Sequence, residues 1–178
     1  MNRFLPRACA VAVAVVLFAS GCATPVAQPS TVMTSRFDAA DVAWSREQGT
    51  ATVEGSASIT PAGGGRQTCA GGEAQLVPAS AHAAEMMRIV FGNDVRGFVP
   101  LASARYPTNM SPEFGKTVRR IGCDAEGRFR FDNVPAGRWY VFSNVVYRGP
   151  GDGAPLGGAL MRGIDVAEGS RVNVTLAP

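Results

Sequence analysis

From residue 50 onward the apolar positions of this chain fall mostly two apart. In "TATVEGSASI", Val53, Ala57 and Ile59 share one face, and Thr52, Glu54, Ser56 and Ser58 share the other. That is the period of a half-buried strand. "EAQLVP" turns Ala74 and Leu76 inward and stops at Pro78. "RFRFDNV" sets Phe129 and Phe131 against Arg128 and Arg130, and "RVNVTLAP" sets Val172, Val174 and Leu176 against Arg171, Asn173 and Thr175. "TVRRIGC" and "ALMRGIDV" are strands of less regular alternation. "GRWYVFSNVVY" is apolar on both faces at its start, as a central strand with something covering each side must be. One stretch changes period. "SAHAAEMMRIVFG" aligns Ala83, Met87, Val90 and Phe91 on a helical stripe, with Ser80 to cap it and Gly92 to close it. His82 falls opposite the stripe, which predicts a solvated side chain. The pattern predicts an all-β fold, an antiparallel two-sheet Greek-key sandwich of about seven strands with one short helical insertion near 80–92.

Glycine and proline punctuate the pattern. "PAGGGRQTCAGG" reads as a glycine-rich break; near Arg66 it lacks the Lys-Ser/Thr of a phosphate loop. Residues 93–115 read as a long irregular connection, of the kind that is functional or mobile. "RGPGDGAPLGG" reads as a loop. "DAEG" and "VPAG" read as tight turns built on Asp124 and Gly127 and on Pro135 and Gly137, bringing three strands together at little loop entropy. "AEGS" joins the last two strands.

"DAEGRFRFDNVPAGRWYV" resembles the signature of the carboxypeptidase regulatory-like domain, a transthyretin-like (prealbumin-like) β-sandwich. The motif is an Asp-x-x-Gly turn, an aromatic strand, a Pro-Ala-Gly turn and an Arg-aromatic strand. "GIDVAEGSRVNVTL" is similar to the family's closing hairpin. The resemblance covers residues 118–178 well and 50–77 less closely, and the insertion 78–116 is not typical of the minimal domain. It implies that Trp139 and Val141 point into the core, with Tyr140 and Phe142 on the outer face under the insertion.

The N-terminus has a different character. "MNRFLPRACAVAVAVVLFASGC" carries Arg3 and Arg7, then an apolar run of eleven residues from Ala8 to Phe18. A bilayer span needs about twenty such residues, so the run has the length of a signal-peptide core. "LFASGC" resembles the bacterial lipoprotein box, with Ala19 where leucine is usual. The resemblance implies a signal peptide over 1–21, lipidation of Cys22 on sulfur and on its new amino group, and a stable membrane tether, since two or more acyl chains anchor where one does not. Ala23 in place of an aspartate implies the outer membrane, facing the periplasm. Residues 22–48 then form a spacer, rich at first in Ala, Thr, Pro, Ser and Gln. Phe37, Val42 and Trp44 can pack back on the domain 49–178, which ends the flexible part near Ser35.

Composition adds limits. Apolar residues make up 46% and charged residues 17%, which suits an ordered domain. The formal charge of +3 includes Arg3 and Arg7; without them 15 cationic side chains face 14 anionic ones. No clustered cationic footprint for nucleic acid results. Beyond Cys9 and Cys22, Cys69 and Cys123 remain, an even pair in an oxidising compartment. They are a candidate disulfide, the alternative being two separate small buried residues. With His82 the only histidine, the common metal constellations and a serine triad lack their parts. Asp124 and Glu126 read as solvated turn residues, and Lys116 is the one lysine available for an isopeptide crosslink. The expectation is therefore a non-catalytic, cofactor-free, lipid-anchored binding or scaffold module. It docks an envelope protein through 93–115 and 148–157. The alternative is a carbohydrate- or peptidoglycan-binding lipoprotein using Trp44, Tyr106, Tyr140 or Tyr147 as stacking platforms.

Overall fold

The computed structural model describes residues 31–149 and 153–178. Cys9, Cys22 and the leader 1–21 lie outside these residues. In chain order come a 3-10 helix (Ala39–Arg46), β1 (Ala51–Ile59), β2 (Gln67–Thr68), β3 (Glu73–Pro78), α1 (Ala81–Phe91) and β4 (Arg96–Pro100). There follow α2 (Pro112–Gly115), β5 (Arg119–Gly122), β6 (Arg128–Val134), β7 (Gly137–Arg148), β8 (Pro155–Val166) and β9 (Arg171–Leu176). The strands make two sheets. In the four-stranded one, β1 pairs antiparallel with β2 and β6 and parallel with β9. The five-stranded one runs β4-β8-β7-β3-β5, all antiparallel. This is the all-β sandwich the alternation predicts.

The core lies between the sheets. Val53, Ala57 and Ile59 of β1, Phe129 and Phe131 of β6, and Val174 and Leu176 of β9 meet Ala74, Leu76, Trp139, Val141, Val145 and Leu160 from the other sheet. A second apolar layer covers the outer face of the five-stranded sheet. There Val77, Tyr140, Met161 and Phe142 pack beneath Ala83, Ala84 and Met87 of α1 and beneath Phe114 of α2. The start of β7 is apolar on both sides because it serves both layers. The helix begins and ends where its caps place it: Ser80 Oγ accepts from the Ala83 amide, and Gly92 closes α1 at φ 74°.

Several expectations need correction. Nine strands replace about seven; β2 falls inside the stretch expected as a glycine-rich break, and β4 inside the connection expected to be irregular, which also holds α2. The expected loop "RGPGDGAPLGG" ends in strand, since β8 starts at Pro155. The tight turns are not hairpins. Asp124–Gly127 carries the chain from β5 in one sheet to β6 in the other, Pro135–Gly137 carries it back to β7, and the turn before Arg171 crosses again from β8 to β9. The family-like closing hairpin is thus a crossing that ends parallel to β1. Turn residues set local dihedral angles, and these are compatible with crossing; the apolar face of each strand decides which sheet it joins.

His82 is the other correction: it is 4% exposed. Its ring lies between Phe37 and Phe114, with centroids 5.6 Å and 5.1 Å away. The N-terminal segment supplies the cover that the helical stripe alone does not reveal. Further along that segment Val42 is fully buried, and the Trp44 ring packs edge-on against Trp139 at 5.0 Å.

Candidate functional site

The outward-facing residues of the four-stranded sheet are polar on all three long strands. β1 offers Glu54 and Ser56, β6 offers Arg128 and Arg130, and β9 offers Asn173, with Glu54 in register with both Arg130 and Asn173. Where this face curves towards the end of β5 it forms an open groove of 570 Å³, reaching Ile121, Gly122 and Asp124.

The charged residues are held in pairs. Arg130 donates to Glu54 at 3.2 Å and, through Nε, to Asp132 at 2.9 Å. Arg171 adds a longer contact to Glu54 at 3.9 Å. At the groove's end Arg128 donates to Asp124 at 2.8 Å and to Glu126 at 2.9 Å. The Arg128 amide and then its side chain hold the Asp124 carboxyl below the usual range, and the Arg130 guanidinium does the same to Asp132. Asn173 and Ser56 make no side-chain hydrogen bond among the described residues, so their donors and acceptors face solvent. Ile121, 41% exposed, and the largely buried Phe129 are the apolar side chains of the groove.

The sequence-predicted residues fall elsewhere in part. Asp124 and Gly127 shape the groove's end: Asp124 Oδ1 accepts from the amides of Glu126 and Arg128, and Gly127 sits at φ 75°. Pro135 and Gly137 are structural; the Pro135 carbonyl accepts from Trp139 Nε1 at 3.1 Å, and a Cβ on Gly137 would lie 2.5 Å from the Trp44 ring. Cys69 and Cys123 form a disulfide, tying the end of β2 to the end of β5. Cys22 is outside the described residues. Of the aromatic platforms, Tyr140 is buried and Trp44 is covered by Trp139, while Tyr106 is exposed and Tyr147 half-buried; none lines the groove. Lys116 is paired with Glu113 at 2.6 Å. Among the described residues no group of three or more His, Cys, Asp or Glu could hold a metal ion. The alternation already puts Glu54, Arg130 and Asn173 on polar faces; what it cannot give is that their strands are neighbours.

These features define a two-sheet β-sandwich with a polar outer groove. No family model and no curated protein matches the chain. A solved structure from Pseudomonas aeruginosa, titled a "putative carbohydrate binding protein", matches with a TM-score of 0.69 at 22% identity, over 81% of this chain and 99% of that one. At that identity the match shows a shared fold.

Proposed function

We propose that this chain is a non-catalytic glycan-binding lipoprotein of the cell envelope, anchored through Cys22 to the outer membrane and reading sugar through the groove on the four-stranded sheet. Its sandwich is of the carboxypeptidase regulatory-like kind. The observation that carries the reading is the groove's mixture of fixed ion pairs and free amide and hydroxyl groups. A sugar presents hydroxyls that donate and accept together. Carboxylate and guanidinium side chains already held by one another meet such hydroxyls without a further loss of rotamer freedom, which keeps the cost of binding low. Ile121 offers apolar contact to a ring's C–H face. The likeness to the Pseudomonas structure supports the same ligand class.

Sedimentation with purified peptidoglycan and a soluble glycan array test the proposal. Wild-type protein should be retained, and Arg130→Ala and Asn173→Ala should each weaken retention by about tenfold, the worth of one or two hydrogen bonds. Absence of retention on every glycan would reject it.

A protein partner is the second reading. Val146 and Leu156, 51% and 46% exposed, flank the tip of the β7–β8 hairpin. Pull-down from envelope extracts with that tip trimmed distinguishes the two.

A further inference from the structure

Residues 31–37 cross α1 and the connection after β4, and side chains fasten them there. Glu85 of α1 accepts three hydrogen bonds: from the Thr34 amide at 2.8 Å, the Thr34 hydroxyl at 2.6 Å and the Ser35 amide at 2.7 Å. Asn109 reads the backbone of Met33 in both directions, accepting from its N–H at 2.8 Å and donating to its carbonyl at 3.0 Å. The Thr108 amide donates to the Thr31 carbonyl. His82 Nδ1 lies 3.1 Å from the Ser35 carbonyl, and a carbonyl can only accept, so Nδ1 carries the proton in that contact. Met33 is 5% exposed, and Phe37 packs against both His82 and Phe114. This is how a protein grips an extended peptide: backbone groups bound by an amide and a carboxylate, alternate side chains buried.

We infer that the insertion between β3 and β5 is a clamp for the chain's own tether, and that it turns the groove away from the membrane. The inference rests on the Cys22 anchor and the groove proposed above. Nine residue steps lead from Cys22 to Thr31. Fully extended they reach about 30 Å, whereas a chain free up to Gly49 would reach about 90 Å. The clamp therefore shortens the leash about threefold. It also fixes where the leash leaves the domain. α1 and α2 cover the outer face of the five-stranded sheet, and the groove lies on the outer face of the other sheet. The leash departs from the side opposite the groove, so the helical layer faces the bilayer and the groove faces the envelope polymers beyond it. The connection 93–115, expected to dock a partner, is assigned to holding residues 31–33.

The test uses lipidated full-length protein in phosphatidylethanolamine–phosphatidylglycerol vesicles with a headgroup energy acceptor. A donor is placed on Arg88→Cys, on the helical side, or on Thr175→Cys, on the groove side; Cys69 and Cys123 are disulfide-bonded and do not take label. Transfer from position 88 should exceed that from position 175. The difference should be lost when about twelve Gly-Ser residues, enough to double the leash, are inserted between Ser30 and Thr31, a change that leaves every clamp residue in place. In Glu85→Ala/Asn109→Ala, tryptic cleavage after Arg36 should be about tenfold faster than in wild type. Equal transfer from both sites, a difference that survives the insertion, or unchanged cleavage would overturn the inference. Protein that fails to float with the vesicles would instead reject the anchor, and the clamp's orienting role with it, leaving the glycan assay untouched.

Discussion

Gly55 shows how much one position can decide. It occupies an inward phase of β1, where the alternation would accept any apolar side chain. A Cβ there would lie 1.9 Å from the Val174 carbonyl oxygen and 2.9 Å from the Phe129 ring. β9 and the Phe129 ring close over the space a side chain would use. Gly55→Ala should therefore destabilise the protein by about 2 kcal/mol or more, since the obstacle is backbone. Gly63→Ala, with nothing within 4 Å of the new Cβ, should leave the urea midpoint unchanged. A matching midpoint for both variants would contradict this packing. Glu85 supports a second prediction at the same scale. The neighbouring Ser35 and Thr34 hydroxyls, then their amides, lower its pKa from 4.5 to about 2. A carboxylate depressed in the folded state stabilises fully above its unfolded pKa, and the stabilisation is lost as pH falls through the folded value. The Thr34 and Ser35 amide resonances should hold their positions from pH 7 to about 5, then shift as pH falls towards 2. In Glu85→Gln that acid-range movement should be absent.

At the scale of the element, α1 joins the two themes of packing and tethering. One face buries Ala83, Ala84 and Met87 on the sheet, and the next presents His82 and Glu85 to residues 34–37. Fraying its first turn should loosen both. Ser80→Ala removes the side-chain acceptor for the Ala83 amide and should cost about 1 kcal/mol by urea unfolding. It should also raise amide exchange at Thr34 and Ser35, which a purely local cap would leave alone. This helix was legible in the sequence down to its caps, because the capping chemistry is local. Seven strands are legible for the same reason, most of them carrying their own alternation. β2 and β4 differ from them. β2 is two residues long, and β4 holds one glycine and one proline in five positions, so neither has enough period to register. Sheet membership was not legible either: "DAEG", "VPAG" and "AEGS" would serve equally well as hairpin turns. His82 reads as solvated in the sequence because its cover, Phe37, comes from 45 positions away in the chain.

For the whole molecule, the Cys69–Cys123 disulfide joins the two sheets at one end across a sequence separation of 54, enclosing β3, α1, β4, α2 and β5. It does not carry the core. Besides Cys69, the inter-sheet cluster takes its buried residues from six strands, β1, β3, β6, β7, β8 and β9, and the clamp on residues 31–37 is built from other residues. Closing a loop of that length restrains the unfolded chain by about 4 kcal/mol on the chain-entropy model. Cys123, however, directly follows Ile121 and Gly122 and precedes Asp124, all of which line the groove. Its amide also donates to the Gly72 carbonyl, so the bridge fixes the groove's end from two sides. The double variant Cys69→Ala/Cys123→Ala should keep a β-rich circular-dichroism spectrum. It should unfold at lower urea, with a steeper denaturant dependence because its unfolded chain is less compact. Glycan retention should fall with it, while the rate of tryptic cleavage after Arg36 should stay at the wild-type value, because the clamp lies on the far side of the five-stranded sheet. If that cleavage accelerated along with the loss of binding, the groove and the clamp would be one cooperative unit, and the separation of the ligand face from the tethering face would not hold.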